Sequence, residues 1–205
     1  MNRSQTSSPT CSNVHAPALR RRRHRRGFTI IEAALATVII GTGVLAILAA
    51  QQAYHRKNMW SQRMATGVQL ANELRELTLP LPMHDPLSGN SNLGPESDEY
   101  TAGVPDPKLF DDLDDFAGTV TSGKGSGVTI SPPINGLRQD IAGLEGWSQK
   151  VTVANVLPEN IGVSDALTQP LGSTNTVRIS VTVTWQPSVT DVEVPMTTLT
   201  WVAGL

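Results

Sequence analysis

The sequence predicts an α+β protein in which one long N-terminal helix is followed by a head built on an antiparallel sheet of about three or more strands. Three observations predict it. Residues 33–50 run for eighteen positions without a charge, and with residues 28–31 that is long enough to cross a bilayer. Apolar residues then recur every three or four positions from Trp60 to Thr78, the period of a helix with one buried face. After Trp147, three segments alternate apolar residues with Thr, Ser or charge, as half-buried antiparallel strands do.

Taken in order, residues 1–27 form a basic leader. It holds seven arginines (Arg3, Arg20, Arg21, Arg22, Arg23, Arg25 and Arg26) and no acid, and it carries the only cysteine, Cys11. Six arginines packed just before an apolar run read as a positive-inside anchor rather than a nucleic-acid patch, which places residues after about Gln51 outside the cytoplasm. Residues 28–205 carry nine basic and eighteen acidic residues, net −9. An acidic chain of that kind disfavours general nucleic-acid binding. A chain without Cys11 has no internal disulfide.

Residues 28–52 are the apolar, membrane part of the helix. Ala33, Ala34, Ala36, Gly41, Gly43 and Ala46 favour close approach of a second helix, because contacts in lipid rest on packing. Gly41 and Gly43 lower helix propensity, so stretching or local unwinding is expected there. Residues 53–79 continue the helix with a stripe at Trp60, Met64, Val68, Ala71, Leu74 and Leu77 or Thr78. Together residues 28–78 predict 51 helical residues. Leu79-Pro80-Leu81-Pro82 ends the run, since each proline lacks an N–H and restricts the residue before it.

Residues 80–146 are rich in Gly, Pro, Asp and Ser and read as irregular. Within them Asp111, Asp112, Asp114 and Asp115 lie between Phe110 and Phe116. Clustered carboxylates are ligands for a hard cation, and a calcium loop is one reading. With the EF-hand spacing missing, a solvated acidic turn is preferred and no metal is expected. Ser122-Gly123-Lys124-Gly125-Ser126-Gly127 departs from the P-loop order and reads as a flexible linker or hairpin tip. Residues 147–205 hold the predicted strands: 147–156, 176–186 and 192–202. Val177, Ile179, Val181, Val183 and Trp185 share one face, which is expected to pack on the helix stripe. Pro187 and Pro195 mark the turn between the last two strands or an edge bulge.

Signals of enzymatic chemistry are poor. Beyond the leader only His55 and His84 remain, with no nucleophile motif and no dinucleotide or zinc pattern. His84-Asp85-Pro86 reads as a turn rather than an acid/base pair. No catalytic residue and no cofactor is expected.

The junction Arg25-Arg26-Gly27-Phe28-Thr29-Ile30-Ile31-Glu32 carries the functional signal. A carboxylate in a membrane segment costs a few kcal/mol and persists mainly where it has a partner. The junction resembles the prepilin processing site of the type IV pilin and type II secretion pseudopilin superfamily. Over roughly residues 20–55 it is most similar to the minor pilins called type IV pilus modification proteins, with the minor pseudopilin I next. The resemblance implies cleavage after Gly27 by a prepilin peptidase/methyltransferase, N-methylation of Phe28, and Glu32 as the assembly residue. It further implies a pilin-like fold, insertion in the inner membrane as a single pass with the head periplasmic, and other pilin or pseudopilin subunits as partners. Glu32 lies about 6 Å along the helix from Phe28 at ~1.5 Å per residue, so a staggered neighbour's carboxylate can meet the freed amine. Many major pilins close a C-terminal loop with a Cys pair, so its absence argues for a minor subunit.

Two other readings compete. A bitopic inner-membrane protein with a ligand-binding ectodomain keeps its leader and tolerates loss of Glu32. A twin-arginine-exported periplasmic protein, read from Arg25-Arg26 and a cleavage site at Leu48-Ala49-Ala50, loses the whole apolar segment.

Overall fold

The computed structural model describes residues 27–87, 89–162 and 164–204; Cys11 and the leader arginines lie outside them. The chain divides into two units at Gln51 and Gln52. Helix α1 (Ile30–Thr78, 49 residues) begins in the first unit, and its residues from Gln52 onward belong to the second.

Helix α1 starts two residues later than the expected Phe28, because Thr29 caps it. Glu32 N–H donates to Thr29 Oγ1 at 3.3 Å, and Ala33 N–H to the Thr29 carbonyl at 3.0 Å. The helix is unbroken through Gly41 and Gly43, so the expected unwinding there does not occur. Thr42 lies between the two glycines, and its hydroxyl donates to the Val38 and Ile39 carbonyls, both at 3.0 Å. Thr37 does the same to Ala33 at 2.8 Å. Each hydroxyl is thereby satisfied within the helix, which lets it sit in an apolar medium.

In the second unit α1 buries Gly67, Leu70, Ala71, Leu74, Leu77 and Thr78. This stripe corrects the expected one, since Trp60 and Val68 are exposed. Gly67 explains the difference. A Cβ there would stand 3.1 Å from Met196 Cβ and 3.4 Å from Thr197 Cγ2, so glycine lets the helix press against the last strand, and the packed face turns toward residue 67.

The segment expected to be irregular contains two short hairpins, β1 (Tyr100–Thr101) with β2 (Val104–Pro105) and β3 (Val120–Thr121) with β4 (Lys124–Gly125). Both turn on two residues with positive φ: Ala102 at 53° and Gly103 at 81°, then Ser122 at 52° and Gly123 at 73°. Two such residues match the twist of a tight hairpin. The glycine-rich run from Ser122 is therefore a hairpin tip and its return strand.

The main sheet comprises β5 (Val128–Ile130), β6 (Trp147–Val156), β7 (Thr168–Gln169), β8 (Thr176–Trp185) and β9 (Val194–Gly204). Its order is β5-β6-β8-β9, with β7 also on β6, and every pairing is antiparallel. Val151, Val181 and Leu199 stand opposite one another across β6, β8 and β9. Val177, Ile179, Val181 and Val183 of β8 are buried in one cluster with Leu70, Leu74 and Leu77 of α1. Trp185, the fifth residue of that face, is half-buried, with the Arg63 guanidinium 3.6 Å from its ring centre. Each fully buried Leu or Val contributes about 1.5–3 kcal/mol relative to exposure. The other face of the sheet is held by hydroxyl pairs, Ser180 with Thr200 and Thr182 with Thr198, each at 3.0 Å. Pro195 lies at a register shift in β9, opposite Thr184, and the next pair is Val183 with Thr197. Met196 is the extra residue of an edge bulge, where a proline costs no ladder bond.

One buried amide joins three parts of this core. Gln149 of β6 donates to the Leu70 carbonyl (2.9 Å) and the Ile134 carbonyl (3.1 Å), and its Oε1 accepts the Ile134 N–H (2.9 Å). The side chain thus pairs with Ile134 as a neighbouring strand would.

Candidate functional site

Gly27, Phe28 and Thr29 precede α1 in non-helical backbone, and all three are exposed. The bond between Gly27 and Phe28 is therefore outside any helical hydrogen-bond ladder. A Cβ built on Gly27 meets nothing within 4 Å, so among the described residues no contact requires glycine there. Phe28 is 73% exposed.

Glu32 is the acidic residue of the first helical turn, and its side chain is exposed. Thr29-Ile30-Ile31-Glu32 has the Ser/Thr-x-x-Glu order of a capping box, a local signal the sequence reading passed over. A carboxylate at the third helical position also faces the positive end of the helix dipole. The helix thus supplies one reason for an acid at this position before any partner is invoked, since the cap itself uses the Glu32 backbone N–H.

Beyond Glu32 the first unit presents apolar side chains all round. Ile31, Leu35, Ile39, Ile40, Leu45 and Ile47 are each at least 59% exposed. An apolar surface of this size marks a membrane or partner contact, and α1 is the one described helix long and apolar enough to cross a membrane.

A second cluster lies in the head. The acidic turn is not solvated, contrary to the sequence expectation: Asp112, Asp114 and Asp115 are buried, with Asp111 exposed at the rim. The reason is the aromatic frame. Phe110, Leu113 and Phe116 recur every third residue and all point into the core, where the two rings meet edge to face at 5.0 Å. The aspartates between them are carried inward with the backbone. Asp112 Oδ1 accepts the N–H groups of Asp114 (2.8 Å) and Asp115 (3.1 Å), and Asp115 Oδ2 accepts those of Asp111 (3.1 Å) and Asp112 (3.0 Å).

Asp114 departs from the other three. Its Oδ1 lies 2.9 Å from His84 Nδ1, and its Oδ2 accepts the Gly94 N–H at 2.8 Å. His84 therefore pairs with Asp114 rather than with its sequence neighbour Asp85. Burial lowers the His84 pKa, opposed by the charge of Asp112. Glu99, unremarked in the sequence, joins the cluster from the turn before β1. It is buried, its Oε1 accepts the Asp111 N–H at 3.0 Å, and its Oε2 accepts the Glu96 N–H at 2.9 Å. Burial is the first cause raising the carboxyl groups of Glu99, Asp112 and Asp115 well above the usual range, and neighbouring acids add to it.

Comparison with protein-family models, curated proteins and solved structures finds no match to this chain. The fold itself defines the class: an α+β protein whose single long N-terminal helix is apolar and membrane-compatible at its start, with antiparallel sheets following. Its functional reading rests on the residues at the start of that helix.

Proposed function

We propose that this protein is a structural subunit of the pilin or pseudopilin type, closest to a minor pilin. It is processed after Gly27 by a prepilin peptidase/methyltransferase, methylated on Phe28, held in the inner membrane by the apolar part of α1, and assembled through Glu32 into a type IV pilus or type II secretion pseudopilus. The head is displayed on the periplasmic side, its role is structural rather than enzymatic, and its partners are other subunits of the fibre.

The observation that carries the reading is the position of Gly27-Phe28 and Glu32 relative to the helix start. The bond to be cut lies in exposed, non-helical backbone immediately before the cap. Because α1 is capped by Thr29, cutting before Phe28 removes nothing that the helix needs. The new amine then sits within about one turn of Glu32 at ~5.4 Å per turn. In lipid an unpaired amine or carboxylate is costly, so a neighbour offering the opposite charge at the same depth is strongly favoured. A glycine that no described residue requires fits a demand made by the peptidase.

The Glu32 carboxylate is also favoured at the helix N-terminus by the helix dipole, and two variants test its proposed role in assembly. Glu32→Gln removes the charge and keeps the size and polarity of the side chain; Glu32→Ala removes all three. If the charge drives assembly, both variants insert and are cut normally, yet neither is recovered with sheared fibres or in cross-links to neighbouring subunits. Normal recovery of Glu32→Gln would restrict Glu32 to its helix.

A further inference from the structure

The main sheet ends differently on its two sides. Beyond β6 it closes with β5 and β7, three and two residues long, and very short edge strands are a common guard against unwanted pairing. The opposite edge is β9, eleven residues long, with β8 on one side and, among the described residues, no strand on the other. In an antiparallel ladder every second residue turns its N–H and C=O away from the partner, so residues 197–204 present roughly four donor–acceptor pairs to the open side. The usual guards are confined to the start of β9, where Pro195 and the Met196 bulge lie. Residues 197–204 hold no charge and no proline, and their pairing with β8 runs without a further shift.

A second observation concerns the core. On β8, Val177, Ile179, Val181 and Val183 are at most 1% exposed. Their partners across the ladder on β9 are Ala203, Trp201, Leu199 and Thr197, and all four are only half-buried. Leu199, Trp201 and Ala203 pack against the core cluster without closing it. The apolar layer thus runs out at the free edge, one strand short of cover. A further strand on β9 covers that row and pairs the open backbone groups in one step.

We infer that the outer edge of β9 is a docking site for an extended segment of a different protein chain, which adds to the sheet as its next strand. Main-chain hydrogen bonds supply the pairing. The half-covered row selects uncharged, apolar residues at alternate positions of the segment, because a charge set beside Leu199 and Trp201 is desolvated with no counter-charge on β9. A second copy of this chain does not fit. The free edges of two identical strands meet in two ways. Antiparallel pairing is a two-fold rotation perpendicular to the sheet, which keeps both core rows on one face. It sets residues 52–78 of the two α1 helices, which pack on that face, running in opposite directions, whereas one membrane holding both chains by the same end needs them parallel. Parallel pairing turns the two core rows to opposite faces. The edge lies in the second unit, so the inference stands whether or not the chain is cut after Gly27.

The test uses the full chain in detergent micelles. The probe is a fluorescein-labelled peptide copying residues 177–184, a β8 segment that already pairs with β9 from its other side, with lysines appended for solubility. Binding is followed by fluorescence anisotropy and by hydrogen exchange read at single amides. The peptide is expected to bind saturably and to slow exchange at alternate amides within residues 197–204, while the amides of β5 are unchanged. A peptide of the same composition with its apolar residues grouped rather than alternating is expected to leave β9 unprotected. Lysine at the peptide positions that copy Ile179 and Val181 is expected to weaken binding at least about tenfold. In the protein, Trp201→Ala is expected to weaken binding of the alternating peptide; should that variant fail to fold, the exchange measurement on the wild type decides alone. No saturable binding, binding without protection of β9, or equal binding of the grouped peptide overturns the site. A concentration-dependent dimer whose β9 amides are protected before any peptide is added overturns it as well, in favour of a second copy.

Discussion

Replacing Gln149 by Met tests how the head is held together, because it removes an amide at nearly constant volume. The Ile134 N–H is buried and is received by Gln149 Oε1. Orphaning such a donor costs ~1–3 kcal/mol. Loss of the two Nε2 bonds to Leu70 and Ile134 adds ~0.5–1.5 kcal/mol each, less at Leu70, whose carbonyl belongs to the helical ladder. Part of this is returned because the methionine thioether needs no partner, leaving a net loss of about 2–4 kcal/mol. For a chain of this size each kcal/mol lowers Tm by ~2–4 °C, so a fall of roughly 5–15 °C is expected. The assay is thermal unfolding in detergent followed by tryptophan fluorescence, since Trp147 and Trp185 lie in the same sheet. A fall below about 2 °C would refute the view that this amide joins helix, loop and sheet.

Three further outcomes follow from the same packing. Gly67→Val should destabilise by ~1–3 kcal/mol through overpacking, because its Cβ is forced within 3.1 Å of Met196; a stabilised variant in chemical denaturation would contradict the close approach. Phe116→Ala should cost ~3–5 kcal/mol and release the acidic turn to solvent, whereas Leu137→Ala, at a residue 77% exposed, should change stability by less than ~0.5 kcal/mol. Hydrogen bonds from Thr184 and Ser148, with Lys150 nearby, hold the Glu193 carboxyl below its usual range. A depressed carboxyl stabilises the fold above its unfolded pKa and loses that contribution as pH falls through the folded value. Glu193→Gln should therefore flatten the stability profile on the acid side, measured as Tm from neutral pH down to pH 3.

What was legible in the sequence was what repeats. The strand from Trp147 to Val156 was read at both ends, and the buried face of β8 followed from its alternation. The helix stripe was displaced because glycine was not counted as a packing residue, so Gly67 was passed over and Val68 taken. The hairpins of β1–β4 and the three-residue β5 escaped because strands so short hold no period to detect; the paired positive-φ residues at their tips were the available signal. The acidic turn was misread for a different reason. Four carboxylates in a row suggest solvent, but the Phe110-Leu113-Phe116 spacing decides the burial, and apolar anchoring outweighs the local preference of the aspartates. Glu99 was invisible because the acidic turn it joins lies twelve or more residues further along the chain. At the helix start the sequence placed the residues, while the structure added the Thr29 cap and a place for the Glu32 carboxylate at the positive end of the helix.

The central claim is that this chain is cut between Gly27 and Phe28 and enters a fibre by the new end. It is tested most directly by N-terminal mass spectrometry of the protein recovered from its native membrane, with and without the prepilin peptidase. A peptidase-dependent terminus at N-methylated Phe28 is expected. An intact leader in both strains, or a start beyond Ala50, would contradict it and return the protein to the anchored-ectodomain or exported reading.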